Sequence, residues 1–139
     1  MKTYSLLLLG VAVALCGCVT EKKLSLAQIR SPERAWINSV IVTAGYFQPH
    51  VEEDLLTREK QRFSDMVELS FAPMMADVPK EKRLEWRTAI GEKLGGKWVS
   101  VRARIRIGPF GMLGRPTVYL EVETIEEANR VTEVTESGR

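Results

Sequence analysis

From Trp98 to Ile107 the sequence alternates without a break. Val99, Val101, Ala103, Ile105 and Ile107 are apolar, and Ser100, Arg102, Arg104 and Arg106 stand between them. A period of two places one set on each face of a β-strand and leaves little room for a helix. The apolar face needs a core and the other face carries a row of arginines, so this segment predicts a half-buried strand in a β-rich domain.

The remaining elements arrange themselves around it. Val40 to Phe47 (Val-Ile-Val-Thr-Ala-Gly-Tyr-Phe) is dominated by β-branched and aromatic residues and predicts a strand, with Gly45 marking a bulge or tight bend. Asp54 to Thr57 is a short second strand, and the charged run Arg58 to Asp65 is a solvated connection. Met66 to Phe71 alternates, with Val67, Leu69 and Phe71 on one side, and Pro73 ends it. Lys80 to Leu94 is the one long helix: Trp86, Ile90 and Leu94 recur every fourth residue with Leu84 nearby, and Gly95-Gly96 is its stop signal. Thr117 to Thr124 is a last strand with Val118, Leu120 and Val122 inward. Ser25 to Arg30 forms one helical turn capped by Ser25 and is broken at Ser31-Pro32. Ala128 to Arg139 lacks an apolar pattern and is expected to fray.

The first residues have a different character. Lys2 is followed by an unbroken apolar run, Leu6 to Leu15, and then by small residues, the pattern of a secretory leader. Apolar character from about Tyr4 to Val19 is shorter than the roughly 20 residues a spanning helix requires. Leu15-Cys16-Gly17-Cys18 resembles the lipobox of bacterial lipoproteins, although Cys16 stands where Ala, Ser or Thr is more usual. The resemblance implies cleavage before Cys18, diacylglycerol on its sulfur and a fatty acyl chain such as palmitate on its amine. It implies a membrane partner through that lipid, and three chains exceed the two signals that stable anchoring takes. Val19 rather than Asp after the cysteine implies, by the same resemblance, an outer-membrane anchor facing the periplasm.

Of the 139 residues, 122 remain once residues 1–17 leave, which is one domain. The 20 basic and 18 acidic side chains become 19 and 18 with the loss of Lys2, a balance that argues against a nucleic-acid partner. The only two cysteines lie at the leader end, so the domain is expected to hold itself by its core, without disulfides.

The order strand, short strand, strand, helix, strand, strand is that of an OB-fold, a five-stranded Greek-key barrel. The expected class is therefore mainly β with one helix (α+β). Val40 to Phe47, Gly96-Lys97-Trp98-Val99-Ser100-Val101, the glycine loop 108–114 and Tyr119 to Ile125 look like the small OB-like domains of uncharacterised bacterial lipoproteins. That resemblance implies a fold and no activity. The expected organisation is a signal peptide over 1–17, a lipid-anchored tether and helical turn over 18–36, an OB-like domain over 37–126 and a tail over 127–139.

Candidate functional residues fall into three groups. Arg102, Arg104 and Arg106 form either an anion-binding strip or a salt-bridged outer face paired with Glu121 and Glu123. The loop Gly108 to Pro116 resembles no phosphate-binding motif, but its Phe110 and Met112 could grip a partner or plug the barrel end. In OB-folds that loop works with the one after the first strand, here Gln48 to Glu53, adding Tyr46 and His50. His50 is the only histidine, and with Glu52, Glu53 and Asp54 it lacks the ligand set of a metal site. No nucleophile–base pattern is legible, and no cofactor or enzyme activity is expected. The expected function is a non-catalytic binding module in the cell envelope, its partner a protein or glycan. The alternatives are an accessory subunit of an envelope complex and an envelope hydrolase.

Overall fold

The computed structural model describes residues 21–50, 53–60, 65–108 and 117–130. These residues form β1 (Lys22–Lys23), α1 (Leu26–Arg30), β2 (Val40–Pro49), β3 (Asp54–Thr57), β4 (Val67–Ser70), α2 (Arg83–Leu94), β5 (Trp98–Gly108) and β6 (Thr117–Glu127), with 3-10 turns at Arg34–Trp36 and Lys80–Lys82. The class is mainly β with one long helix. Six strands share one sheet in the order β1-β2-β3-β4-β6-β5, and a further β2–β5 pairing closes that order into a ring. All pairings are antiparallel except β1–β2 and β4–β6.

The ring closes because β2 is long enough to pair with different strands along both of its edges. On one edge it pairs with β5 from Val40 to Tyr46. On the other, β1 takes Ile41 and Val42, and β3 takes Tyr46 to Pro49. Gly45 lies where these partners change. A Cβ there would stand 2.8 Å from Leu56 Cγ and from the Thr57 carbonyl oxygen, so only glycine lets β2 and β3 approach so closely.

The alternating residues become the core as expected: Val67 and Leu69 of β4, Val99, Val101, Ala103 and Ile105 of β5, and Leu120 and Val122 of β6 are all buried, and Ile41 and Phe47 of β2 join them. Thr43 points into the same core, and its hydroxyl has no hydrogen-bond partner. Helices cover two openings of the ring. α1 inserts Leu26 and Ile29, with Ser25 capping it through a reciprocal bond with Gln28. α2 brings Leu94 and Trp86 against Phe71, whose ring meets those of Trp86 and Phe47 edge-on at 5.8 Å. Gly96 ends α2 at φ +73, and its N–H donates to the Phe47 carbonyl at 2.7 Å.

Several expectations change. The polar stretch taken as tether enters the fold: β1 pairs parallel to β2, the Leu24 N–H donates to the Val42 carbonyl, and Leu24 is buried. Ile107, expected inward, is 47% exposed because β5 has by then run past its β2 partner, which ends opposite Arg104. Leu84, expected beside the apolar stripe of α2, is 74% exposed. The helix itself begins as a 3-10 turn over Lys80–Lys82 and becomes α-helical at Arg83. β6 continues past Thr124 to Glu127. Glu123 is an extra residue in the β5–β6 register, so the inward set shifts from Leu120 and Val122 to Ile125.

Candidate functional site

The outward side of β5 reads Trp98, Ser100, Arg102, Arg104, Arg106, and its two halves differ in kind. The arginine half is satisfied internally. Arg102 pairs with Glu21 at 2.9 Å and Glu123 at 3.3 Å. Arg104 donates to the Asn38 carbonyl at 2.6 Å and lies 3.9 Å from Glu123. Arg106 donates to Glu121 at 3.2 Å and to Asn38 Oδ1 at 2.7 Å. The extra residue in β6 is what sets Glu123 between Arg102 and Arg104. Asn38 receives two arginines because it sits at φ 69, a left-handed conformation that asparagine tolerates. Of the two readings of this row, the salt-bridged outer face is the one the geometry displays.

The other half of β5 holds a half-exposed aromatic pair. Tyr46 and Trp98 are direct cross-strand partners with ring centroids 5.0 Å apart at 82°. The Arg130 guanidinium lies 5.1 Å from the Trp98 centroid and 5.6 Å from that of Tyr46, and it donates to the Tyr46 hydroxyl at 3.3 Å. Lys97 and Glu127 form an exposed ion pair at 3.4 Å alongside. Sequence reasoning reached Tyr46 and missed its companions. Trp98 sits at the head of the strongest strand pattern, and its outward parity was readable, but Arg130 belongs to a stretch with no pattern at all.

Beyond Tyr46, β2 ends at a turn in which the His50 N–H donates to the Glu53 carbonyl at 2.9 Å, leaving His50 exposed. The first residue of β3, Asp54, is buried, and its Oδ2 accepts from Arg87 of α2 at 2.9 and 3.2 Å. Burial pushes the Asp54 carboxyl above the ordinary carboxylate range, against the opposing pull of Arg87 and the weaker one of His50. Glu68 on β4 is also raised, by burial and by the neighbouring charge of Glu53. The outward side of β3 is filled: Thr57 is fully buried, accepts from Gln48 Nε2 at 2.6 Å and donates to the Glu59 carbonyl at 3.0 Å.

The structure thus brings Tyr46 to the same end of β2 as His50, and sets Arg102, Arg104 and Arg106 apart as an ion-paired face. Cys18, Phe110 and Met112 lie outside the described residues. Among the described residues no group of three or more His, Cys, Asp or Glu side chains could hold a metal ion, and no helix is long and apolar enough to cross a membrane.

No family model and no curated protein matches this sequence. Two solved structures are similar over 81% of the chain. One is a putative aspartyl-tRNA synthetase from Leishmania major Friedlin, at 13% identity and a TM-score of 0.45; the match spans 22% of that chain. The other is the OBody AM3L15 bound to hen egg-white lysozyme, at 13% identity and a TM-score of 0.48, with 98% of that chain covered.

Proposed function

We propose that this chain is a bacterial lipoprotein, anchored through acyl chains on Cys18, whose domain is a non-catalytic binding module of the cell envelope. Within it, β2, β3, β4, β6 and β5 act as a five-stranded OB-like barrel with β1 as an accessory strand. The ring order, the parallel β4–β6 pairing and the helix between β4 and β5 support that assignment. The anchor rests on the leader and on Leu15-Cys16-Gly17-Cys18. The location that follows is the envelope, at an outer membrane and facing the periplasm.

The observation that carries the binding reading is the contrast along β5. The arginines are occupied by Glu21, Glu121, Glu123 and Asn38, whereas Tyr46 and Trp98 keep half-exposed rings covered by a single arginine. An edge-on pair of aromatic rings with a cation beside it suits a sugar face or a peptide side chain, because both offer apolar C–H surface next to polar groups. The contact surface is therefore Tyr46 and Trp98, with the turn at His50 and, from the sequence, Phe110 and Met112. The partner is an envelope protein or glycan.

The test is site-specific photo-crosslinking of the full lipidated chain in its own envelope. Crosslinkers at Gln48 and His50 should yield the same discrete adduct, which Trp98→Ala should weaken, while one at Glu33 should not yield it. Adducts of equal intensity from all three positions would contradict the reading.

A further inference from the structure

The sheet takes hold of the chain only three residues after Cys18. Glu21 is clamped to Arg102 at 2.9 Å, Lys22 and Lys23 pair with β2, and Leu24 is in the core. Only Val19 and Thr20 lie between Cys18 and this fixed root. Three Cα–Cα steps reach at most about 11 Å. The headgroup layer on each side of a bilayer takes up roughly 5–8 Å of that. A domain of this size is roughly 30 Å across, so a few remaining ångströms of slack do not let it turn over.

We propose that the β1 edge of the sheet lies against lipid headgroups, with Lys22, Lys23, Arg34 and Trp36 as the contacting side chains. This orientation rests on the acylation of Cys18 proposed above. The chemistry of the edge suits the occupant. Lys22, Lys23 and Arg34 are exposed and outnumber the exposed carboxylate beside them, Glu33, while the negative charge of Glu21 is taken up by Arg102. Trp36 is half-exposed in a shallow groove with the Lys22 ammonium 4.5 Å from its ring centre. An amphipathic indole beside lysines is the usual furniture of a membrane–water interface. The opposite end of the molecule then faces away from the bilayer. β2 runs from Ile41, beside β1, to Pro49, beside α2, over at most about 26 Å of strand. The His50 turn and α2 are thereby presented outward.

The mature lipidated chain would carry no free thiol, which permits single-cysteine labelling. Glu33→Cys, beside Trp36, and Glu85→Cys, on α2, would each carry a fluorophore, with the protein held on vesicles of three parts phosphatidylethanolamine to one part phosphatidylglycerol. With a nitroxide quencher on the lipid headgroups, the label at position 33 should be quenched several-fold more than the label at position 85. A spacer of about twelve Gly and Ser residues between Thr20 and Glu21 should shrink that difference, because such a linker is a flexible coil. An anchored chain with equal quenching at both positions overturns the orientation. A chain that separates from vesicles in a density gradient, or whose Cys18 reacts as a free thiol, overturns the anchor and the orientation with it.

Discussion

The two ends of β2 are each fastened by an ion pair, and the pairs are of opposite kinds. At the β1 end, Glu21 and Arg102 have side chains 38% and 47% exposed. At the α2 end, the Asp54 side chain is 10% exposed and that of Arg87 33%. An exposed pair gains little, because water screens it and both side chains lose freedom. A buried pair costs desolvation that only its partner offsets, so it is fragile to the loss of either member. The end near the proposed bilayer is thus held by the β1 ladder and by Leu24, Leu26 and Ile29, with charges as an outer layer. At the distal end a charge pair adds to the β2–β3 and β3–β4 ladders in fixing the start of β3 beneath α2.

That difference is sharpest in Arg87→Ala, which should destabilise by about 3 kcal/mol because Asp54 is left buried without its partner. The loss should shrink as pH falls, because a carboxyl whose pKa burial raises takes up a proton more readily and then needs no cation; denaturant melts at neutral and acidic pH check both statements. Gly45→Ala comes next, at about 1–3 kcal/mol, because its methyl group would meet Leu56 and the Thr57 backbone at 2.8 Å. A double-mutant cycle on Tyr46 and Trp98 should return a coupling of about 1 kcal/mol, the usual worth of an edge-on aromatic pair. Arg102→Ala should cost no more than about 1 kcal/mol, as suits exposed pairing. If it cost as much as Arg87→Ala, the contrast between the ends would be false.

The smallest effect concerns pH. Asp54 and Glu68 both have carboxyls raised above their ordinary values of 3.8 and 4.5. Between those values and the higher folded ones, the native state binds more protons than the unfolded chain. Stability contributed by these groups is therefore present at low pH and is lost as pH rises through the folded values. Glu68→Gln should flatten that decline, read as the pH slope of the unfolding free energy.

How much of this was legible beforehand follows from which signals are local. The strand from Trp98 and the Ser25 cap are written in short-range patterns, and they appear where the residues placed them; Gly45, expected to mark a bulge or bend, keeps β2 in register with β5 and instead marks a close approach to β3. β1 was not legible, because two lysines in a polar stretch carry no strand signal and pair only because β2 offers a free edge beside Ile41 and Val42. The extra residue at Glu123 breaks no alternation visible in Thr117 to Thr124, yet it decides which glutamate meets which arginine. Among site residues, Arg102, Arg104 and Arg106 were correctly placed on one face, but part of their occupancy depended on Asn38 and Glu21, 66 or more residues away in sequence. The Asp54–Arg87 pair was beyond reach for the same reason: neither residue stands out locally, and only packing of α2 on β3 unites them.

The proposed lipid on Cys18 would give one end of the sheet ring to the bilayer and leave the other for a partner. Intact mass of the mature protein extracted from its own envelope tests this most directly. The predicted result is a chain beginning at Cys18 with the added mass of a diacylglyceryl thioether and an amine-linked acyl group. A chain beginning elsewhere, or one beginning at Cys18 with an unmodified thiol, would contradict it.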